Sequence, residues 1–151
     1  MTANFDEVLL KMLGKVQLFR TFGRQELIDI LAIGRKVVFQ PGETVFEEGE
    51  QGENMYIVLS GSFEVIKRGR YRQPKCLAVV ESGEHFGEMA VIDNLERTAT
   101  VRALTPAVTL KFNQRDLLQQ PAASIKLFQN MARLLSKRLR KTNEVLILKN
   151  S

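Results

Sequence analysis

Hydrophobic residues recur along this chain with different periods, and each period marks a stretch of different structure. From residue 5 to 33 the spacing is helical. Val8, Leu9, Met12 and Leu13 share one face, Leu27, Ile28, Leu31 and Ala32 share another, and Gly14, Gly23 and Gly34 punctuate them. From Lys36 to Phe112 the texture changes to short β-prone runs separated by turns. Pro41-Gly42 reads as a turn, and Gly49, Gly52 and Gly61 sit between apolar stretches. Tyr56-Ile57-Val58-Leu59 and Phe63-Glu64-Val65-Ile66 flank Ser60-Gly61 and predict a hairpin. Val108, Leu110 and Phe112 alternate with Thr109 and Lys111, the pattern of a half-buried strand. Several short strands at this spacing argue for a sandwich or barrel.

After Phe112 the helical period returns. Asn113 with Asp116 predicts a capped short helix, and Pro121 fits the first position of a second. Ile125, Phe128, Ala132, Leu135, Leu139, Thr142 and Leu146 then recur at alternating three- and four-residue steps, which is a heptad seam. A second stripe, Leu127, Met131 and Leu134, faces elsewhere. One stripe can pack on the helix's own barrel while the other meets a partner chain. So long a helix would overrun a barrel of this size, so a homodimer through the C-terminal helix is expected. The whole of 1–151 is expected to form a single α+β domain. It has a helical lead over 5–34, β structure over 36–112 and C-terminal helices over 114–149.

Length and composition allow one compact domain with a real core. No apolar run is long enough to span a bilayer, and the polar, acidic stretch Thr2 to Glu7 is no secretory leader, so a cytoplasmic protein without membrane insertion is expected. A single cysteine, Cys76, rules out an internal disulfide framework and a four-cysteine iron–sulfur site. Its place in Cys76-Leu77-Ala78-Val79-Val80 predicts a buried strand thiol. The net charge of +5 is unevenly placed. Through Gln120 there are 15 basic and 16 acidic residues, whereas from Pro121 onward 7 basic residues face Glu144 alone. A basic helix can bind nucleic acid or anionic lipid, but more often it is a solvated face. The acids Glu43, Glu47, Glu48, Glu50 and Glu53 lack the alternating ligand spacing of a calcium loop and read as solvated turns. With only His85 in the chain, a multi-histidine metal site is impossible and no metal or cofactor is expected. A haem held by His85 or Cys76 is a weak alternative, and His85 is read as a rim residue.

The candidate chemistry lies in Phe86-Gly87-Glu88-Met89-Ala90-Val91-Ile92-Asp93-Asn94-Leu95-Glu96-Arg97-Thr98-Ala99-Thr100. Backbone N–H groups at a helix start lack intrahelical partners and attract an anion. Gly87 lets a phosphate approach the backbone with no Cβ in the way. Glu88, when ionised, only accepts hydrogen bonds, so it suits a sugar hydroxyl and not a phosphate. Arg97 offers a planar fork of donors matched to phosphate oxygens. Together these residues suit a small ligand with a sugar and a single negative charge, for which one arginine suffices. A triphosphate would call for a Gly-rich loop ending in Lys-Ser or Lys-Thr, and the chain has none.

At these residues the chain resembles the phosphate-binding cassette of the cyclic nucleotide-binding domains. Met89 departs from the Leu of most relatives and Glu96 from the Pro of the kinase domains, and neither is a ligating group. The order Pro41-Gly42-Glu43, Gly49, Gly52, then Tyr56 through Gly61 also resembles the first half of the family's antiparallel β jelly-roll barrel. The resemblance implies that Glu88 holds a ribose 2′-hydroxyl and Arg97 a cyclic phosphate, with Phe86, Gly87, Met89 and Ala90 around them. It implies a non-catalytic sensor that signals through an unidentified effector protein or through dimer rearrangement. Two cues bear on the base. Thr98 resembles the residue that reaches guanine in cyclic-GMP-dependent relatives. Thr142-Asn143 occupies the place of the pair that contacts the adenine amino group across the dimer of the catabolite activator protein. Cyclic AMP is therefore the expected ligand, with cyclic GMP the alternative. No helix-turn-helix follows the long helix in this sequence, so sequence-specific DNA reading is not expected. A nucleic-acid-binding basic helix without a small ligand is the competing class.

Overall fold

In the computed structural model, residues 2–68 and 73–150 are described, with side chains from Glu7 onward. Helices α1 (Thr2–Gly14) and α2 (Arg24–Ile33) lead, joined through a 3-10 turn at Gln17–Phe19. The punctuating glycines fall at their boundaries, with Gly14 ending α1 and Gly23 and Gly34 flanking α2. The buried faces are shifted from those the periodicity suggests. Leu10 and Leu13 are buried in α1 while Val8 is exposed, and Leu27 and Ile30 are buried in α2 while Ile28 is exposed. Helix α2 is wedged against α1, the short helix α4 (Gln114–Leu118) and the long helix α5 (Pro121–Asn150), and this crowding selects its inward stripe.

Eight strands form two four-stranded antiparallel sheets that face each other as a jelly roll: β1 (Arg35–Phe39), β8 (Ala107–Asn113), β3 (Asn54–Ser60) and β6 (His85–Phe86) in one, β2 (Thr44–Phe46), β7 (Thr100–Ala103), β4 (Ser62–Lys67) and β5 (Lys75–Glu81) in the other. The expected barrel is thus a sandwich of two sheets. The hairpin predicted around Ser60-Gly61 does not form. Strand β3 pairs with β8 and β6, and β4 pairs with β5 and β7, so the chain crosses from one sheet to the other at that turn. Local alternation could not distinguish a turn within a sheet from a corner between sheets.

Strand β3 explains why its sequence is apolar without alternation: both of its faces are covered. Met55, Ile57 and Leu59 pack against the helices, together with Leu110 and Phe112 of β8. Tyr56 and Val58 point the other way, into the sandwich, where they meet Phe39, Phe46, Phe63, Phe86 and Val101. Thr109 is fully buried between strands because its hydroxyl donates to the Val37 carbonyl at 2.9 Å. A buried hydroxyl is tolerated when it has such a partner.

The cap on α4 forms as the sequence predicts. Asn113 accepts from the Asp116 N–H at 2.8 Å, and the Asp116 carboxylate accepts from the Asn113 N–H at 3.1 Å. Helix α5 begins at Pro121. Its inner stripe, Leu127 and Met131, is buried against the N-terminal helices, and Asn130 donates to the Leu18 carbonyl at 2.7 Å and to the Thr21 hydroxyl at 2.9 Å. Of the seam, Ile125, Leu139 and Leu146 are exposed. Two further expectations are corrected. Cys76 is exposed, because β5 is an edge strand paired only with β4 and no layer covers it. His85 is buried, because β6 runs between β3 and the start of helix α3 (Glu88–Asp93) and carries its side chain inward.

Candidate functional site

A cavity of about 570 Å³ opens between helix α3, the open face of β4 and β5, and the side of α5. Its size falls within the range of small-molecule pockets. Val65, Ala78, Val79 and Val80 make an apolar wall, and Glu88, Arg97, Thr98 and Arg138 supply polar groups.

Arg97 is tightly constrained. The residue is only 8% exposed. One guanidinium nitrogen donates to the Asn54 carbonyl at 2.6 Å and the other to the Gly87 carbonyl at 3.2 Å. The guanidinium carbon sits 3.8 Å from the centroid of the Phe46 ring, a cation–π contact. The Arg97 backbone is held as firmly. Its N–H donates to the Glu50 carbonyl at 2.7 Å and its carbonyl accepts from Gly49 N–H at 2.8 Å. The acidic turn over 47–53 is therefore a clamp on Arg97, and no cluster of metal-ligating side chains occurs among the described residues. Burial lowers the Arg97 pKa, while Tyr56, Glu50 and Glu88 pull it back up. An arginine stays charged through such a shift. With no carboxylate bonded to it among the described residues, a fixed positive charge faces the cavity and its remaining N–H donors are available to an anion.

Two glycines make this packing possible. A Cβ at Gly52 would stand 2.7 Å from Arg97 Nε, and one at Gly87 would stand 2.9 Å from a terminal guanidinium nitrogen. Gly87 also holds φ at +78°, in the left-handed region that side chains resist. Helix α3, which starts immediately after it, has six residues. So short a run of aligned peptides gives a weak dipole, and the Arg97 charge is the main attraction for an anion.

Glu88 opens α3 and is 7% exposed. Burial alone would raise its pKa. Attraction to His85 above all, with its own backbone and Arg138, outweighs that and holds the carboxyl below its usual value. His85 Nε2 lies 3.6 Å from Glu88 Oε1, and an Arg138 nitrogen lies 3.4 Å from the same oxygen. The cavity thus presents a carboxylate and a guanidinium held apart by the backbone of one cassette. It can accept a hydroxyl and an anion on the same ligand, with an apolar wall for a flat, less polar part.

The sequence-predicted residues divide into two groups. Phe86, Gly87, Glu88, Met89, Ala90, Arg97 and Thr98 all line the cavity. Phe86 does so from below, as the ring around which Tyr56 (5.1 Å) and Phe63 (4.9 Å) gather. Met89 and Thr98 are exposed at the rim. Thr142 and Asn143 are not brought to it. Both are exposed on α5, and the Thr142 hydroxyl donates to the Arg138 carbonyl one turn back, at 3.0 Å. Sequence reasoning missed Arg138, Phe46 and Asn54. Arg138 reads in sequence as one more cation of a basic face, and nothing local sets it apart.

Comparison with known proteins places these features in a family. The sequence profile of the cyclic nucleotide-binding domain matches residues 36–123. The chain is 30% identical over 107 residues to a CRP-like cAMP-activated global transcriptional regulator of Mycobacterium tuberculosis, covering 71% of this chain and 48% of the regulator. It is 39% identical over 85 residues to a cAMP-dependent protein kinase regulatory subunit of Yarrowia lipolytica, covering 56% of this chain and 21% of the subunit. The chain therefore spans half or less of the length of these relatives. In structure it is similar to the Thermus thermophilus catabolite activator protein, with a TM-score of 0.80 at 29% identity over 87% of this chain and 62% of that one.

Proposed function

The chain belongs to the cyclic nucleotide-binding domain family, and from that membership and the geometry of its cavity we propose a non-catalytic sensor of cyclic AMP. The observation that carries this reading is the pairing of two buried, opposite charges within one cavity. Arg97 is immobilised by two carbonyls and an aromatic face, and Glu88 lies at the head of the same cassette. In this reading Arg97 takes the cyclic phosphate, Glu88 the ribose 2′-hydroxyl, and the wall of Val65, Ala78, Val79 and Val80 one face of the base. A cyclic phosphodiester carries one negative charge, which a single guanidinium balances without a metal. Adenine as the base is supported by the similarity to regulators named for cAMP. No nucleophile–base pair is needed for such a role, and the protein's output is a change of shape or of partner.

Titration calorimetry with cyclic AMP and cyclic GMP tests the reading. Saturable cyclic AMP binding at one site per chain is the expected result, and heat from neither nucleotide would overturn it. For cyclic GMP speak the similarity to relatives named cGMP-dependent protein kinases and the place of Thr98, which lines the cavity directly after Arg97, whereas Thr142 and Asn143 lie outside it in a single chain. Tighter binding of cyclic GMP would assign base selection to Thr98. The exposed seam residues Ile125, Leu139 and Leu146 support a homodimer through α5, which would bring a second copy's helix to the cavity mouth. Signal output then runs through that dimer or through a separate effector protein.

A further inference from the structure

His85 is 3% exposed, and its Nδ1 is a buried polar atom with no hydrogen-bond partner among the described residues. Such a group is costly, and an imidazole kept there calls for a reason. Its other nitrogen supplies one. Nε2 lies 3.6 Å from Glu88 Oε1, three residues on. If Nε2 carries the proton, the imidazole directs a donor at the carboxylate while Nδ1 is merely an unused acceptor, the less demanding of the two arrangements. The opposite tautomer would bury an unpaired N–H and set a lone pair against a carboxylate.

Two neighbours of Glu88 address the same oxygen. His85 and Arg138 converge on Oε1, and among the described residues no side chain bonds Oε2. The two neighbours differ in rigidity. The Arg138 side chain is 54% exposed and belongs to the outer part of α5, where solvent competes for it. The His85 side chain is 1% exposed and is carried on a strand paired with β3.

We propose that His85 is a positioning residue of the ligand site, holding Oε1 of Glu88 so that Oε2 is turned toward the hydroxyl of a bound sugar. This rests on the reading of the cavity as a cyclic nucleotide site. The role is indirect, so the test must read the sugar and not affinity alone. Cyclic AMP and its 2′-deoxy analogue are titrated into wild type, His85→Phe and His85→Gln. Wild type is expected to prefer the ribose form. In H85F cyclic AMP should weaken by about tenfold, the loss expected when one hydrogen bond to a charged group is misplaced, while the deoxy analogue binds as before. H85Q, whose amide can donate, should recover part of the preference. A preference in H85F equal to that of wild type, or an equal loss for both nucleotides, would overturn the proposal. Should H85F fail to fold, 15N NMR of the wild-type imidazole decides the point. A proton on Nε2 supports it, and a proton on Nδ1 with Nε2 bare overturns it. Absence of nucleotide binding by wild type would instead reject the cyclic nucleotide reading, and the NMR result would still report on the His85–Glu88 geometry.

Discussion

Replacing Arg97 by Ala separates two jobs that this side chain performs. It bridges the Gly87 carbonyl to the Asn54 carbonyl and stacks on Phe46, so it ties the cassette to β3 and β2. Each bond from a charged donor contributes about 1.5–3 kcal/mol. The aromatic contact adds roughly 0.5–2 kcal/mol. Against these stands the desolvation of the guanidinium, which costs several kcal/mol by itself and cancels much of the gain. A net loss of about 1–3 kcal/mol is therefore expected, which for a domain of this size lowers Tm by roughly 3–9 °C. The binding loss should be larger. Two charge-assisted bonds to a phosphate out of bulk water correspond to a hundredfold or more in affinity, by the tenfold-per-1.4 kcal/mol scale. Scanning calorimetry reads the first quantity and titration calorimetry the second, on the same preparation. Arg97→Lys is the informative companion. It keeps the charge but not the fork, so it should recover little of the affinity. Near wild-type cyclic AMP affinity in R97A would refute the assignment of the phosphate to Arg97. A collapse of the fold would show that the clamp outweighs its desolvation cost.

Three further outcomes follow from the same geometry. The Glu88 carboxyl is held below its usual value in the folded protein, so it stabilises the fold above about pH 4.5 and that contribution disappears as pH falls through the lowered folded value. The Tm difference between wild type and Glu88→Gln should thus be steady at neutral pH and shrink below about pH 4.5; a difference that grows on acidification would contradict it. Leu139 is exposed in the single chain, so Leu139→Asp should leave monomer stability unchanged. It should nonetheless place an uncompensated charge in an α5 seam, and light scattering is expected to report a dimer for wild type and a monomer for the variant. A wild-type monomer at high concentration would reject the seam. Finally, Thr142→Ala with Asn143→Ala should weaken cyclic AMP and spare cyclic GMP only while the dimer is intact, because neither residue lines the cavity of its own chain. An equal effect in the L139D background would show that these residues act on their own helix.

What the sequence disclosed and what it concealed follow from the range of the interactions involved. Asn113 and Asp116 were readable as a cap because their partners lie three residues apart, within the same turn. Gly87, Glu88 and Arg97 were readable as a site because one short segment carries all three, and the fold need only close that segment on itself. Ser60-Gly61 was misread because alternation fixes which face of a strand is apolar, not which sheet the strand joins. Cys76 was misread for a related reason: an apolar run looks the same at a covered centre and at an open edge, and β5 has only β4 beside it. His85 and Arg138 mark the remaining gap. The chain separates Arg138 from Glu88 by 50 residues, and only the packing of α5 on the N-terminal helices brings its guanidinium to the carboxylate. His85 lies three residues from Glu88, close enough to be noticed, yet its side chain could as well have pointed to solvent. Burial on β6 is what turns that neighbour into a fixed partner, and burial is a property of the two sheets meeting, not of the residue. The construction of this candidate site is thus divided. The cassette supplies the charges, and distant elements decide how those charges are aimed.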